Sequence, residues 1–231
     1  MKEFSESINC IHCENSSKCF KKLIPSELEF INQNKTQVFY RKGESVCKQG
    51  AYTSYVLYLT EGLIKIYLET SNQKNINIKI LKASEFLGLS SIFLDNIYNY
   101  SAVTLRDSTV CLIEKESFKK LISNNGAFAS ELINWYCKNE IHSYDILRSL
   151  LSKQMYGRLA DVLLYLSGDH FTGEDIFSYI TRKDISEFAG ISMESTVRLL
   201  NELKNDEIIK TEGKKISILN RDLLLNISRS G

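Results

Sequence analysis

Between Thr36 and about Glu114, apolar and polar positions alternate in short runs: Val38-Phe39-Tyr40, Tyr55 to Leu59, Leu63 to Tyr67, Ile76 to Ile80 and Thr109 to Ile113. Gly43, Gly50, Gly62 and Gly88 stand between them. A period of two places every second side chain on one face of a strand, so these runs predict a small antiparallel barrel or sandwich. From about Phe128 to Leu151 the period lengthens, with Ile133, Cys137, Ile141, Tyr144, Leu147 and Leu151 at steps of three and four. That spacing predicts a long helix with an apolar stripe. The stripe either packs on its own barrel or pairs with a second copy, and its position between two patterned regions favours pairing. Met155 to Ser167 repeats the helical pattern with Leu159, Val162, Leu163 and Leu166, and a polar loop is expected from Gly168 to Asp175.

The next stretch is the most specific. In Thr181-Arg-Lys-Asp-Ile-Ser-Glu-Phe-Ala-Gly190, Thr181 can cap a helix while Asp184 reaches back, and Gly190 can end it in a left-handed conformation. Ser192 can cap a second helix at once, burying Leu199, Leu200 and Leu203 and presenting Glu194, Ser195, Arg198 and Asn201. Two helices joined by a three-residue turn make a helix-turn-helix, and Lys210 to Ile218 reads as a hairpin wing. In this geometry the second helix enters the major groove N-terminus first, so Glu194 and Arg198 face base edges. Arginine can bond a guanine edge bidentately and glutamate can accept from a cytosine amine. The competing structural role for this pair is an exposed i, i+4 ion pair. Ser192, Thr181, Lys183, Lys214 and Lys215 are candidates for phosphate contacts, with Ser195 beside the reading pair.

Composition bounds these readings. The chain has 231 residues, 43% hydrophobic and 25% charged, which fits two folded domains without a low-complexity tract. Neither a secretory leader nor a membrane span is expected, so the cytoplasm is the default location and the six cysteines read first as thiols or metal ligands. The net charge is +1, and from Lys153 to Gly231 there are 11 basic against 12 acidic residues. If this part binds DNA, the placement of cations has to do what their total does not. An enzyme is not expected: His12, His142 and His170 lie in unrelated contexts, and no phosphate loop or nucleophile motif is present.

The segment from Thr181 to Leu200 resembles the helix-turn-helix of the CRP/FNR transcription regulators, in which a Glu and an Arg four residues later read a TGA half-site core; Glu194 and Arg198 occupy those positions. Met193 and Val197 depart from the two best-known patterns and leave the outer half-site bases open. The resemblance extends over nearly the whole chain. It implies an α+β fold: a cysteine-rich loop (1–24), a cyclic-nucleotide-binding-like β-barrel of jelly-roll type (25–126), a dimerisation helix (127–152) and a winged helix-turn-helix (153–231). The implied partners are double-stranded DNA with two-fold related half-sites and a second copy of the chain, RNA polymerase being a further candidate and a membrane none.

Two features bear on the sensor. In cAMP-binding relatives the phosphate cassette has a Phe-x-Gly-Glu pattern and an Arg-Ser pair; here the stretch reads Phe86-Leu-Gly-Leu89, and the pair is Tyr100-Ser101. A cyclic phosphate would meet no cation, so cAMP is not the expected ligand, although Lys79 or Lys82 could serve in a rebuilt loop. At the N-terminus Cys10, Cys13 and Cys19 form a C-x2-C-x5-C cluster, and three thiolates so close can hold one face of a metal centre that takes its fourth ligand from elsewhere. This spacing resembles that of FNR-type oxygen sensors, whose [4Fe-4S] cluster uses three N-terminal cysteines and one in the barrel. The resemblance implies Cys111 as fourth ligand, and a cluster that supports dimerisation when intact and is dismantled by oxygen. Structural zinc on the same four cysteines, or a metal-free thiol or disulfide switch in a regulator with another effector, are the alternatives. His12 and Cys47 are substitute ligands; Cys47 and Cys137 otherwise read as strand core and helix stripe.

Overall fold

The structure is a computed structural model that describes residues 9–13, 15–70 and 74–231; the side chains of His12 and Ile92 lie outside the described set. The chain forms two compact units, Met1–Glu69 with Lys79–Glu140, and Thr70–Ile78 with Ile141–Gly231.

Short 3-10 turns at Cys10–His12 and Phe20–Lys22 lead into α1 (Pro25–Gln33). Eight strands follow: β1 (Lys35–Tyr40), β2 (Ser45–Cys47), β3 (Tyr55–Glu61), β4 (Leu63–Glu69), β5 (Asn75–Lys82), β6 (Glu85–Leu87), β7 (Ser101–Thr104) and β8 (Ser108–Glu114). A short helix, α2 (Leu89–Phe93), interrupts them after β6, and α3 (Lys115–Asn124) and α4 (Gly126–Ser152) come after β8. The strands make two four-stranded sheets, ordered β1-β8-β3-β6 and β2-β7-β4-β5, the jelly-roll arrangement expected of the barrel. All five alternating runs lie in strands. Register places Cys111 of β8 opposite Gln37 of β1 and Tyr58 of β3. Between β3 and β4 the chain turns at Gly62, whose φ is +111°; a Cβ there would stand 2.0 Å from the Ser108 hydroxyl, so this turn requires glycine.

An aromatic core fills the end of the barrel nearest α3 and the start of α4. Phe20 meets Tyr58 edge-on with centroids 4.7 Å apart, Phe86 meets Phe118 at 5.7 Å and Trp135 at 5.6 Å, and Phe118 meets Phe128 at 5.6 Å. Offset and edge-on contacts of this kind favour a fixed arrangement as well as burying area. Phe128 and Leu132 anchor α4 by burial, whereas Ile133, Tyr136, Ile141, Tyr144, Leu147 and Leu151 are between 51% and 84% exposed. The helix thus has two apolar stripes, one satisfied within the chain and one facing water. Covering a bulky apolar side chain is worth roughly 1.5–3 kcal/mol, so the exposed stripe has the character of a pairing surface.

The second unit continues with α5 (Met155–Leu166), 3-10 turns at Asp169–Phe171 and Ile176–Ser178, α6 (Arg182–Ala189), α7 (Met193–Asn205), the hairpin β9 (Ile209–Glu212) and β10 (Lys215–Ile218), and α8 (Arg221–Ser230). The stretch from Gly168 to Asp175 is not the purely polar loop expected, because Phe171 turns inward and packs edge-on against Tyr165 at 5.4 Å. Helix α8 has no counterpart in the sequence reading; Asn220 caps it by accepting from the Leu223 amide at 3.0 Å, and Leu224 is fully buried. Among the described residues no helix is long and apolar enough to cross a membrane.

Candidate nucleic-acid interface and cysteine cavity

Capping bonds between near neighbours build the helix-turn-helix. The Thr181 hydroxyl accepts from the Asp184 amide at 3.1 Å, and the Asp184 carboxylate accepts from the Thr181 amide at 2.7 Å, a complete reciprocal capping box. Gly190 ends α6 with φ of +61°, the left-handed value that glycine adopts without a Cβ penalty. Ser192 starts α7, its hydroxyl accepting from the Ser195 amide at 3.0 Å. Leu199, Leu200 and Leu203 are buried, which fixes the rotation of α7 and turns its opposite face outward.

That outward face is lined by Met193, Glu194, Val197, Arg198, Asn201 and Asn205. Glu194 and Arg198 therefore share one open surface one turn apart, as the spacing predicts. The ion pair that Arg198 makes is with Glu202, at 2.7 Å and one turn towards the C-terminus. An exposed pair of this kind is worth well under about 1 kcal/mol and yields readily to a base edge. The remaining candidates lie at the starts of α6 and α7 and in the wing, most of them with their groups engaged. The Thr181 and Ser192 hydroxyls act as caps, Ser192 also bonding the Ser195 hydroxyl at 2.9 Å. Lys183 lies 3.8 Å from Glu187 and Lys215 3.9 Å from Asp175, while Lys214 is exposed at the wing turn. Sequence reasoning missed Arg182, which donates to the carbonyls of Gly213 at 3.2 Å and Lys214 at 3.4 Å and so ties the wing turn to the start of α6. Its position in a run of polar residues gave no signal of that role.

In the first unit, Cys10, Cys13 and Cys111 line one small cavity together with Lys35 and Tyr58. The Lys35 ammonium stands 4.0 Å from the Cys111 sulfur. Burial pushes the Cys111 thiol up to about 12, against the opposing pull of Lys35, and burial raises Cys10 likewise. Metal-free, both sulfurs are held as thiols, and loading a metal displaces their protons. Cys19 is not among the residues lining this cavity; it is buried in the same hydrophobic core as Cys111, against which Cys10 packs. As placed, no group of three or more His, Cys, Asp or Glu side chains among the described residues could hold a metal ion. The donor types suit a thiolate-bound centre, with Cys10, Cys13 and Cys111 lining one cavity beside Lys35, but holding a metal requires these sulfurs, and Cys19 with them, to move from the positions they occupy. Cys47 is buried and donates to the Tyr100 carbonyl at 3.8 Å, and Cys137 is exposed on α4, so neither joins the set.

In the stretch corresponding to the phosphate cassette, several polar groups bond to one another. The Gly88 amide donates to the Tyr100 hydroxyl at 2.7 Å. The Ser101 hydroxyl donates to the Glu69 carboxylate at 2.5 Å and accepts from the Gln49 amide at 2.9 Å. These groups are thus engaged within the chain, one of them with a carboxylate, while the buried Ser91 hydroxyl has no partner among the described residues.

Residues 37–125 match the family model of the cyclic nucleotide-binding domain and residues 157–227 that of the Crp-like helix-turn-helix domain. The anaerobic regulatory protein of Bacillus subtilis is 27% identical over 209 residues, covering 87% of this chain and 88% of that one. The fumarate and nitrate reduction regulatory protein of Vibrio cholerae is 28% identical over 96% of this chain and 91% of its own length. Among solved structures, FixK2 from Bradyrhizobium japonicum shares the fold with a TM-score of 0.75 at 22% identity, over 85% of this chain and 98% of that one. The two matched domains together span well over half the sequence, in the order barrel, long helix, capped helix-turn-helix and wing, and the chain belongs to the CRP/FNR family of DNA-binding transcription regulators.

Proposed function

We propose that this regulator binds as a homodimer to a two-fold related DNA site whose half-sites carry a TGA-like core read by Glu194 and Arg198. The observation that carries this reading is their shared position on the open face of α7, one turn apart at the helix N-terminus. The exposed apolar stripe of α4 supports pairing through that helix. Because the reader region is close to neutral, two linked readers are needed to gather enough phosphate contacts for tight binding. The protein then acts on DNA in the cytoplasm, with RNA polymerase as a candidate contact and no substrate chemistry. Selection from a pool of random duplexes checks this directly: enrichment of inverted TGA-containing half-sites is the expected result, and recovery of sequences without them overturns the assignment.

The control we propose is an oxygen-labile [4Fe-4S] cluster held by Cys10, Cys13, Cys19 and Cys111, in place of cAMP. When bound, such a group supplies a covalent tie, lost in oxygen, between the N-terminal loop and β8. Three of the four cysteines lining one cavity beside Lys35 support this, and the internally bonded Gly88, Tyr100, Ser101 and Glu69 support the absence of a cyclic nucleotide. The buried Cys19 favours a second reading, in which the thiols act as a metal-free switch; zinc on the same four cysteines would need the same rearrangement of Cys19 as the cluster. Anaerobic reconstitution followed by iron, sulfide and zinc analysis separates the two: iron and sulfide in equal amounts with visible absorption support the cluster, and a colourless zinc-loaded or metal-free protein supports the alternative.

A further inference from the structure

Within the second unit a cavity of about 340 Å³ opens among β5, the end of α4, α5 and α6, and one of its walls is Asn77. Asn77 is fully buried, yet only half of its amide is used. Its Nδ2 donates to the Asp184 carbonyl at 2.9 Å, while its Oδ1 has no partner among the described residues. Turning the amide over gives no relief, because Oδ1 would then face the Asp184 carbonyl oxygen, acceptor against acceptor. A buried acceptor left open is unfavourable, so a group bringing a donor to this point gains more there than in water.

The remaining walls narrow the class of that group. The fully charged side chains are already matched, Lys153 with Asp161 at 2.8 Å and Arg148 with Asp145 at 3.2 Å, which leaves no unbalanced charge to select an ion. His142 is held by a hydrogen bond between its Nε2 and the Ile78 carbonyl at 3.2 Å. Its ring stacks on Tyr165 with centroids 5.0 Å apart, and Phe188 lies 5.9 Å from the same tyrosine. Ile146, Leu150 and Val162 complete an apolar side. A flat ligand gains aromatic contact here, and its polar edge meets Asn77.

We propose that this cavity is an effector site for a small uncharged aromatic heterocycle bearing an N–H, of the indole class, with the N–H donated to Asn77 Oδ1. The bond polarises an amide whose other end holds Asp184, the residue that closes the capping box of α6, so occupancy is transmitted to the first helix of the reader. Ligand and DNA affinity are then linked, each changing the other by the same factor. The site is independent of the cysteines and of the bases read, and its primary test uses no DNA.

The test is calorimetric titration of the full-length protein with indole and with benzofuran, which has the same ring shape but an ether oxygen in place of the N–H. Indole is expected to bind one per chain, ~tenfold or more tightly than benzofuran, as for a site built around a hydrogen bond. Equal affinities overturn the role of Asn77, and no heat from either up to the solubility limit means that the cavity holds water only. The Asn77→Ala variant is expected to bind indole no better than benzofuran. Should that variant not fold, the amide signals of Asn77 in the labelled native protein decide: indole is expected to shift them together with Asp184 and Tyr165, and shifts confined elsewhere overturn the site.

Discussion

The helix-turn-helix and the cysteine cavity are assembled over opposite distances along the chain. In the reader, the caps and turn that bound α6 and α7 come from within a few positions, Thr181 with Asp184, Gly190 at the turn and Ser192 with Ser195, and longer-range bonds from Arg182 and Asn77 are added to them. In the cavity, Cys111 comes from β8, Lys35 from β1, and Cys10 and Cys13 from the loop before α1. The reader consequently has one arrangement that its own bonds enforce. The cavity is held by packing around it, and that packing brings Cys10, Cys13 and Cys111 to one cavity while Cys19, buried in the same core as Cys111, is not among its lining residues. Local polar bonds specify a site residue by residue, whereas a site gathered from distant segments inherits its geometry from the core.

The largest effect expected along this contrast is on metal content. Cys111→Ala should reduce iron and sulfide after anaerobic reconstitution to background, and Cys19→Ala should do the same if it leaves the core to bind. Full iron content in Cys19→Ala would remove it from the ligand set and leave Cys10, Cys13 and Cys111. Both variants should leave the melting of the reader unchanged, as followed by hydrogen exchange of α6 and α7 amides. Next in size, Arg198→Ala should lose discrimination at one guanine of each half-site by about 1–3 kcal/mol in competition binding, with the fold intact. Unchanged selectivity would show that Arg198 serves only its pair with Glu202.

Smaller effects sharpen the local side of the comparison. Thr181→Ala removes one arm of the capping box and should cost about 1 kcal/mol in denaturant unfolding of the reader, without altering iron content. A loss of iron in that variant would break the separation drawn between the two sites. Smallest of all, Lys214→Ala at the wing turn should weaken binding to all sequences alike and lower the slope of affinity against salt by about 1. A sequence-dependent change would move Lys214 from phosphate contact to base reading.

Much of the fold was legible because its period was. The alternating runs lie in β1, β3, β4, β5 and β8, and the three-and-four spacing marks α4, which begins one residue before the expected helix and ends with it at Ser152. Strands β2, β6 and β7 are only three or four residues long, too short to display a period, and their pairing depends on neighbours far away in sequence. The reading of Gly168 to Asp175 as a polar loop failed at Phe171 because one aromatic side chain among polar residues has no periodicity, and Tyr165 provides its place only in three dimensions. Arg182 was overlooked for the same reason: its acceptors are carbonyls about thirty residues away.

The sequence by itself determined the reader: caps, turn, buried leucines and the outward positions of Glu194 and Arg198 follow from hydrogen bonds and helical geometry that span one or two turns. It also determined that α4 has an apolar stripe. Tertiary structure alone decided that this stripe stays uncovered while Phe128 and Leu132 are buried, that Lys35 stands beside Cys111, that Cys19 is buried in the core and that Asn77 keeps an unmet acceptor. The physical reason is range. A hydrogen bond to the third or fourth neighbour is fixed by the backbone that links the two residues, whereas the burial of a side chain is fixed by whatever the rest of the chain packs against it.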